Sequence, residues 1–317
     1  MNPPSPGGEC ATLVIGGAGY IGSYLVPMLT SSGRRVTVLG RRPSPMYRLP
    51  DGVSYVAGDF GSGDLIRRLL DSHEEVVHLA YATVPNTSFE NPLGDLLQNL
   101  PPTVQLFSQI ADRGGKLILV SSGGTVYGEG VSLPICESHQ TMPISPYGVT
   151  KLTLENYARL YAVTHGLRYV CVRPSNAYGV GQRPFVGQGF VSTAMASAMR
   201  GIPVAIFGES GSIRDYLHVR DLAAGIFSSL ALGRLSETYN LGSGVGLSNQ
   251  DVIDIMSSVL AEIGCKIVVA NLPQRLFDVH ANILDSRKLH AHTGWSPAVD
   301  FLEGLRELRG WLESCGG

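Results

Sequence analysis

The chain lacks an excess of charge of either sign. Its 317 residues carry 24 Lys and Arg against 26 Asp and Glu, a net charge of −2. That argues against a nucleic-acid binder working by phosphate neutralisation. Cysteine is scarce: Cys10, Cys136, Cys171, Cys265 and Cys315 are scattered, odd in number and never spaced C-x-x-C. A disulfide framework or a structural zinc does not fit that pattern, no metal site is expected, and a reducing compartment, the cytoplasm, is the expected address. No apolar run reaches the roughly 20 residues a membrane span needs. The stretch from Met1 to Gly8, rich in Pro and Gly, has neither the charged nor the apolar region of a secretory signal. Residues 1–10 are read as a disordered lead-in. Apolar residues are not lacking: 44% hydrophobic against 16% charged is enough for a large core.

What is present is an alternation of short apolar runs with helix-like stretches. The runs are Leu13-Val14-Ile15, Val36-Thr37-Val38-Leu39, Val53-Ser54-Tyr55-Val56, Val76-Val77-His78-Leu79, Leu117-Ile118-Leu119-Val120 and Tyr169-Val170-Cys171-Val172. Most are β-branched and apolar on both faces, as parallel strands covered by helices on either side are. The expected fold class is α/β: a doubly wound, Rossmann-type parallel sheet over residues 11–173. Beyond Arg173, Gly and Pro punctuate shorter elements. Residues 174–317 are expected to be mainly a smaller substrate-binding lobe, interleaved with the sheet domain. Leu302, Leu305, Leu308 and Leu312 mark a final packing helix.

Directly after the first run stands Gly16-Gly17-Ala18-Gly19-Tyr20-Ile21-Gly22. Gly16 permits a tight turn, Gly19 lets a pyrophosphate approach the backbone, and Gly22 lets a helix pack close to the strand. Lying between a strand and a helical stretch, this triplet predicts a dinucleotide cradle. An Asp or Glu for the adenosine ribose is expected at the end of the second strand of an NAD site. Gly40-Arg41-Arg42 stands there instead. The two guanidiniums suit a 2′-phosphate, hence NADP; the other reading is that Arg41 stacks on adenine and Arg42 is solvated. Asp59, after the third strand, is a candidate adenine contact or a turn residue.

In Ser145-Pro146-Tyr147-Gly148-Val149-Thr150-Lys151, Ser145 suits an N-cap and Pro146 a first helical residue. Tyr147 and Lys151, four apart, share a helix face. A nearby ammonium favours phenolate, so Tyr147 is expected to have a lowered pKa and to act as a base. Lys151 is also suited to hold a nicotinamide ribose.

With these residues in view, the chain resembles the extended short-chain dehydrogenases/reductases, in particular their nucleotide-sugar epimerase and dehydratase branch. The resemblance runs from Leu13 to about Trp311 and rests on GGAGYIGSYL, VVHLA, LILVSSGGTVYG, SPYGVTK, VRPSNAYG and SIRDYLHVRDLA. It implies catalytic roles for Tyr147 and Lys151. It implies NAD contacts from Gly16, Gly19, Tyr20, Ile21 and Gly22, and from Arg41, Arg42, Asp59 and Phe60. Further cofactor contacts are implied for Leu79, Ala80, Tyr81 and Asn99, and for Ser121 and Pro174. A nucleotide-diphosphate sugar is the implied substrate, held by Asn176, Phe207, Arg214, Arg275 and Asp278. Asn282 is implied as the gate for the sugar's C2 substituent. Thr83 stands where the family has a cofactor-contacting lysine. A homodimer through the helices after the fourth and fifth strands is also implied, with Pro101 and Pro102 just inside the first of these.

The loop Ser121–Gly128 bears on the reaction. Dehydratases of this branch carry an Asp-Glu pair at the places of Gly124 and Thr125, and decarboxylases a Glu at the place of Thr125. With neither carboxylate, the chain resembles the 4-epimerases. Those have a Ser or Thr hydroxyl at the place of Gly123. Alternation along an extended segment favours Thr125 as its replacement, with Ser122 the other candidate. Two rivals stand beside the epimerase: a ketoreductase using NAD(P)H, favoured by Arg41 and Arg42, and a non-catalytic dinucleotide sensor, disfavoured because Tyr147 and Lys151 are both present.

Overall fold

The computed structural model describes residues 10–273 and 279–315. Its first half runs β1 (Ala11–Ile15), α1 (Gly22–Ser31), β2 (Arg35–Gly40), β3 (Ser54–Ala57), α2 (Gly63–Leu70), β4 (Glu75–His78), α3 (Pro85–Glu90), α4 (Pro92–Arg113), β5 (Lys116–Val120), α5 (Gly123–Val126), α6 (Pro146–His165) and β6 (Arg168–Pro174). The second half adds β7 (Asn176–Tyr178), α7 (Phe190–Met199), β8 (Val204–Phe207), β9 (Ile213–His218), α8 (Val219–Leu232), β10 (Thr238–Leu241), β11 (Gly246–Leu247), α9 (Asn249–Ala261), β12 (Val269–Leu272), β13 (Ala281–Asn282), α10 (Arg287–Thr293) and α11 (Phe301–Cys315).

Seven parallel strands form the main sheet in the order β3-β2-β1-β4-β5-β6-β10. Each expected apolar run overlaps one of its strands, with Val53 just before β3 and Leu79 just after β4. Alternation along the strands sends Val14, Val38, Val77, Ile118 and Val170 to one face, against Leu25 and Leu29 of α1 and Leu222 and Ile226 of α8. Their neighbours Leu13, Ile15, Leu39, Leu117 and Leu119 go to the other face. There they meet Ile66 of α2, Phe107 and Ile110 of α4, and Leu154 of α6. A sheet buried on both faces needs apolar residues at consecutive positions, which is why the runs are mostly apolar without alternation. The chain winds outward from β1 to β3 and then from β4 to β6. The β1/β4 boundary is therefore the switch point, where a crevice opens at the carboxyl ends of the strands.

The second half returns to the sheet through α8 and β10. Its remaining elements pack around a separate core of Val191, Met195, Ile206, Val252, Met256, Leu305 and Leu308. The leucines of α11 face that core, as their spacing predicts. Asp215 joins the two cores. Fully buried on β9, its carboxylate accepts from Ser175 Oγ, Ser243 N and Oγ, Gly244 N and Leu284 N. Five donors on one carboxylate fix the loops on either side of the crevice.

Candidate active site

The glycine cradle lies at the switch point. Gly16 has φ +84°, and a Cβ there would stand 2.8 Å from Ala80 N on the loop after β4. Only glycine brings the two loops that close. A Cβ on Gly22 would strike the Gly17 carbonyl, so α1 starts flush on the turn. Gly17, which the G-x-x-G-x-x-G reading passed over, is equally confined, with Val14 Cγ1 2.8 Å from such a Cβ. No side chain caps α1 and no acid stands in its first turn. Its amino end thus offers backbone donors and a favourable dipole to an anion. These features fit a dinucleotide pyrophosphate.

A cleft of about 770 Å³ extends from this cradle. Of the expected cofactor residues it is lined by Gly16, Gly19, Arg41, Arg42, Asp59, Phe60, Leu79, Ala80 and Tyr81. The Tyr20 and Ile21 side chains do not line it. Tyr20 instead donates to Gly179 O at 3.3 Å, while Tyr24 and Tyr47 donate to Val180 O at 3.1 Å and Gly181 O at 2.6 Å. Three phenols thereby strap the 179–181 loop to the nucleotide side, a feature the motif does not announce. Asn99 supports the cleft from behind. Its Oδ1 accepts from Ala82 N at 2.9 Å and its Nδ2 donates to Asp95 O at 2.7 Å. Ser121 donates to Glu155, which is itself paired with Arg173 at 2.6 Å in the interior; its side chain is used in packing. Pro174 ends β6.

Tyr147 and Lys151 come together against Tyr81, which lines the cleft. Ser145 caps α6 by accepting from Gly148 N at 3.1 Å, and Pro146 opens the helix. The Tyr147 ring meets that of Tyr81 edge-on at 4.8 Å, and the Lys151 ammonium lies 4.0 Å from the Tyr81 ring centre. This ammonium donates to Val120 O at 2.9 Å and stands 5.6 Å from the centre of the Tyr147 ring. Burial lowers the Lys151 pKa to about 8, opposed by Cys171, Glu155 and Asp95 nearby. The expected lowering of the tyrosine does not occur. Burial and then Asp95 push the Tyr147 phenol well above its ordinary value, and only a hydrogen bond with Ser122 works the other way. The physical reason is geometric: the ammonium is held by a carbonyl and a neighbouring ring instead of by the phenolic oxygen.

The two hydroxyl candidates, Thr125 and Ser122, take different positions. Residues 123–126 form a helical turn, so alternation along an extended segment does not apply. Thr125 Oγ1 turns back to Ser122 O at 3.5 Å, and it is Ser122 that reaches Tyr147. At Gly123 a Cβ would stand 2.5 Å from Leu284 Cδ1 and 2.8 Å from Arg173 O, so the family's hydroxyl has no room there. Thr83 donates to Asp95, and Thr150 donates to the other oxygen of Asp95 at 2.6 Å. This buried Asp95 link was missed: its partners lie 12 and 55 residues away, and no spacing rule connects them.

At the start of the second half, Asn176 Nδ2 is buried without a hydrogen-bond partner among the described residues, and its Oδ1 faces Gly124. Asn282 is fully buried; its Nδ2 donates to Gly123 O at 3.1 Å and its Oδ1 has no partner among the described residues. Arg214 lies on β9 opposite Asn282 of β13, and Phe207 ends β8. Arg275 and Asp278 fall outside the described residues. No cluster able to hold a metal occurs among the described residues, and no helix there is long and apolar enough to cross a membrane.

A doubly wound sheet with a glycine cradle at its switch point and a Tyr-x-x-x-Lys pair beside it defines an extended short-chain dehydrogenase/reductase. A profile of the NAD dependent epimerase/dehydratase family matches residues 12–242. The UDP-glucose 4-epimerase of Halalkalibacterium halodurans is 33% identical over 318 residues, covering 94% of this chain and 93% of that protein. The Thermotoga maritima UDP-glucose 4-epimerase structure with UDP-glucose is similar at TM-score 0.89 and 30% identity, over 97% of this chain and 100% of that one. The Thermus thermophilus UDP-glucose 4-epimerase structure in complex with NAD is similar at 0.86 and 31%, over 96% and 99%. The chain belongs to the NAD-dependent epimerase/dehydratase family.

Proposed function

We propose that the protein is a nucleotide-sugar 4-epimerase with UDP-hexoses, N-acetylated ones included, as its substrate class. The observation that carries this reading is the packing of Tyr147, with Ser122 at its phenol, against Tyr81 on the wall of the dinucleotide cleft, with no carboxylate at Gly124 or Thr125. NAD, when bound, supplies the acceptor and donor of hydride. Tyr147 takes the proton of the sugar 4-hydroxyl as the carbon is oxidised, and returns it after the 4-ketone has presented its other face. Ser122 holds the phenolic oxygen, and Lys151, bound to Val120 O and seated over the Tyr81 ring, keeps those two elements together next to it. Removal of water would need a further acid and base, and neither position offers one. The unpartnered Asn176 Nδ2 and Asn282 Oδ1 are suited to hydroxyl or amide groups of the sugar. The smaller lobe serves as the substrate domain, with Arg214 and Arg275 for the diphosphate and Asp278 for the ribose. The purified protein should interconvert a UDP-gluco and UDP-galacto pair with no net consumption of reductant, and Tyr147→Phe should lose at least about 10²-fold in kcat.

A ketoreductase is the second reading, favoured by Arg41 and Arg42 on the cleft wall. It requires stoichiometric oxidation of NADPH and a reduced sugar product. The family's homodimer is proposed here too, through the outer faces of α4 and α6, where Leu93 is 65% and Val163 79% exposed.

A further inference from the structure

Behind Tyr147 lies a buried polar cluster that the proposed reaction does not use. Three successive residues at the end of β5 meet three residues of α6 that are each one turn apart. Val120 O accepts from Lys151 Nζ at 2.9 Å, Ser121 Oγ donates to the Glu155 carboxylate, and Ser122 bonds to the Tyr147 phenol. Positions 147, 151 and 155 are four apart and so fall in line on one side of the helix. Of the three contacts, the middle one is fixed by a counter-charge. The Glu155 carboxylate accepts from Arg173 of β6, Nη2 at 2.6 Å and Nε at 3.1 Å to each oxygen. Both side chains are 8% exposed, so water and salt screen the pair little. The other Arg173 nitrogen, Nη1, donates to the Tyr127 hydroxyl at 2.8 Å, which donates in turn to Asn240 Oδ1 at 2.7 Å. Ser122 and Tyr127 flank the two ends of α5. The ion pair therefore grips this turn from both sides, through Ser121 before it and Tyr127 after it. A buried ion pair adds little net stability over apolar side chains of the same size. What this one fixes is the place of the loop. Neither Glu155 nor Arg173 is among the residues lining the cleft, so any effect on the reaction passes through their partners.

We infer that Glu155, locked by Arg173, is a positioning residue for the reaction: through Ser121 it holds residues 120–122 against α6 and so keeps the Ser122 hydroxyl on the phenolic oxygen of Tyr147. The step that is positioned rests on the epimerase reading; the positioning itself does not. Glu155→Gln would strand the Arg173 charge in the interior and threaten folding, so Ser121 carries the test. In Ser121→Ala the ion pair stays whole and only its link to the loop is cut. With UDP-galactose as substrate, kcat should fall about 10-fold, the size expected for one hydrogen bond to a charged group. KM and the calorimetric affinity for NAD should stay within roughly 2-fold. Ser121→Thr, which keeps the hydroxyl, should recover most of the lost kcat. The amides of Ser121, Thr125 and Val126 are bonded to Val172 O and Ser122 O. Their hydrogen exchange, read by mass spectrometry, should speed up in Ser121→Ala and return in Ser121→Thr. An unchanged kcat or an unchanged exchange rate in Ser121→Ala overturns the inference. So does a loss of kcat matched by an equal loss of NAD affinity, which would make Ser121 a cofactor contact. An unmodified protein that turns over no UDP-hexose removes the epimerase reading alone, and the exchange comparison then decides the positioning.

Discussion

Lys151 is buried and Tyr147 half-buried, and the loss of water around them opposes the charged form of each. A lysine held near a pKa of about 8 loses its proton within the working range of most enzymes. Activity should therefore have an alkaline limb near pH 8, read in a kcat profile. Asp95 supports the ammonium and raises the phenol, so Asp95→Asn should move that limb to lower pH. An unmoved limb would show that Asp95 only packs. Stability follows the same shift with a definite sign. The folded lysine sits at about 8 against an ordinary 10.5, so between those values the unfolded chain binds more protons and the Lys151 contribution makes stability rise with pH. Lys151→Met should remove that rise in urea titrations at pH 8 and pH 10. The residue pair itself was legible in the sequence because four residues is one helical turn. The direction of the ammonium was not, because Val120 O and the Tyr81 ring come from other strands and loops.

At the scale of elements, the cradle depends on contacts between backbones. Gly22→Ala would drive a methyl group into the Gly17 carbonyl at the start of α1. A loss of roughly 1–3 kcal/mol is expected, with weakened nucleotide binding, measurable as thermal melts with and without cofactor. The glycine motif, its strand and its helix were all visible as pattern, since local geometry and a fixed spacing define them. The turn of α5 was not. Gly123-Gly124-Thr125 carries weak local preference, and its helical shape is set where Gly123 lies against Leu284 and Arg173 O. Pro101 and Pro102 likewise fall in the middle of α4, a helix of 22 residues, and not just inside its start. Pro102 lines the nucleotide cleft.

For the whole molecule, the outer faces of α4 and α6 present Leu93, Leu97, Leu160 and Val163 to solvent. These helices pack against each other through their inner sides, so the outer sides remain for a second copy. Leu97→Arg together with Val163→Arg should convert a dimer to a monomer in light scattering and leave the melting temperature of the monomer fold nearly unchanged. A monomeric starting protein would remove this proposal. The division into a sheet half and a smaller lobe was expected from the changed punctuation after Arg173. The return of α8 and β10 to the sheet follows from packing: Leu222, Ile226 and Leu241 complete the face opened by α1.

Local chemistry was written in the sequence: apolar runs that must be covered on both sides, glycines that permit one turn, a proline and a serine that start one helix, a phenol and an amine one turn apart. Each is a property of neighbours along the chain. The three-dimensional structure decided what depends on residues far apart in sequence. It put Ser122 beside the phenol and turned Thr125 back to Ser122 O, turned the Lys151 ammonium to Val120, tied Asp95 to Thr83 and Thr150, and set Arg41 and Arg42 on the cleft wall. Protonation, hydrogen-bond partners and burial are set by whatever surrounds a group in space, and no periodicity in a single chain encodes that.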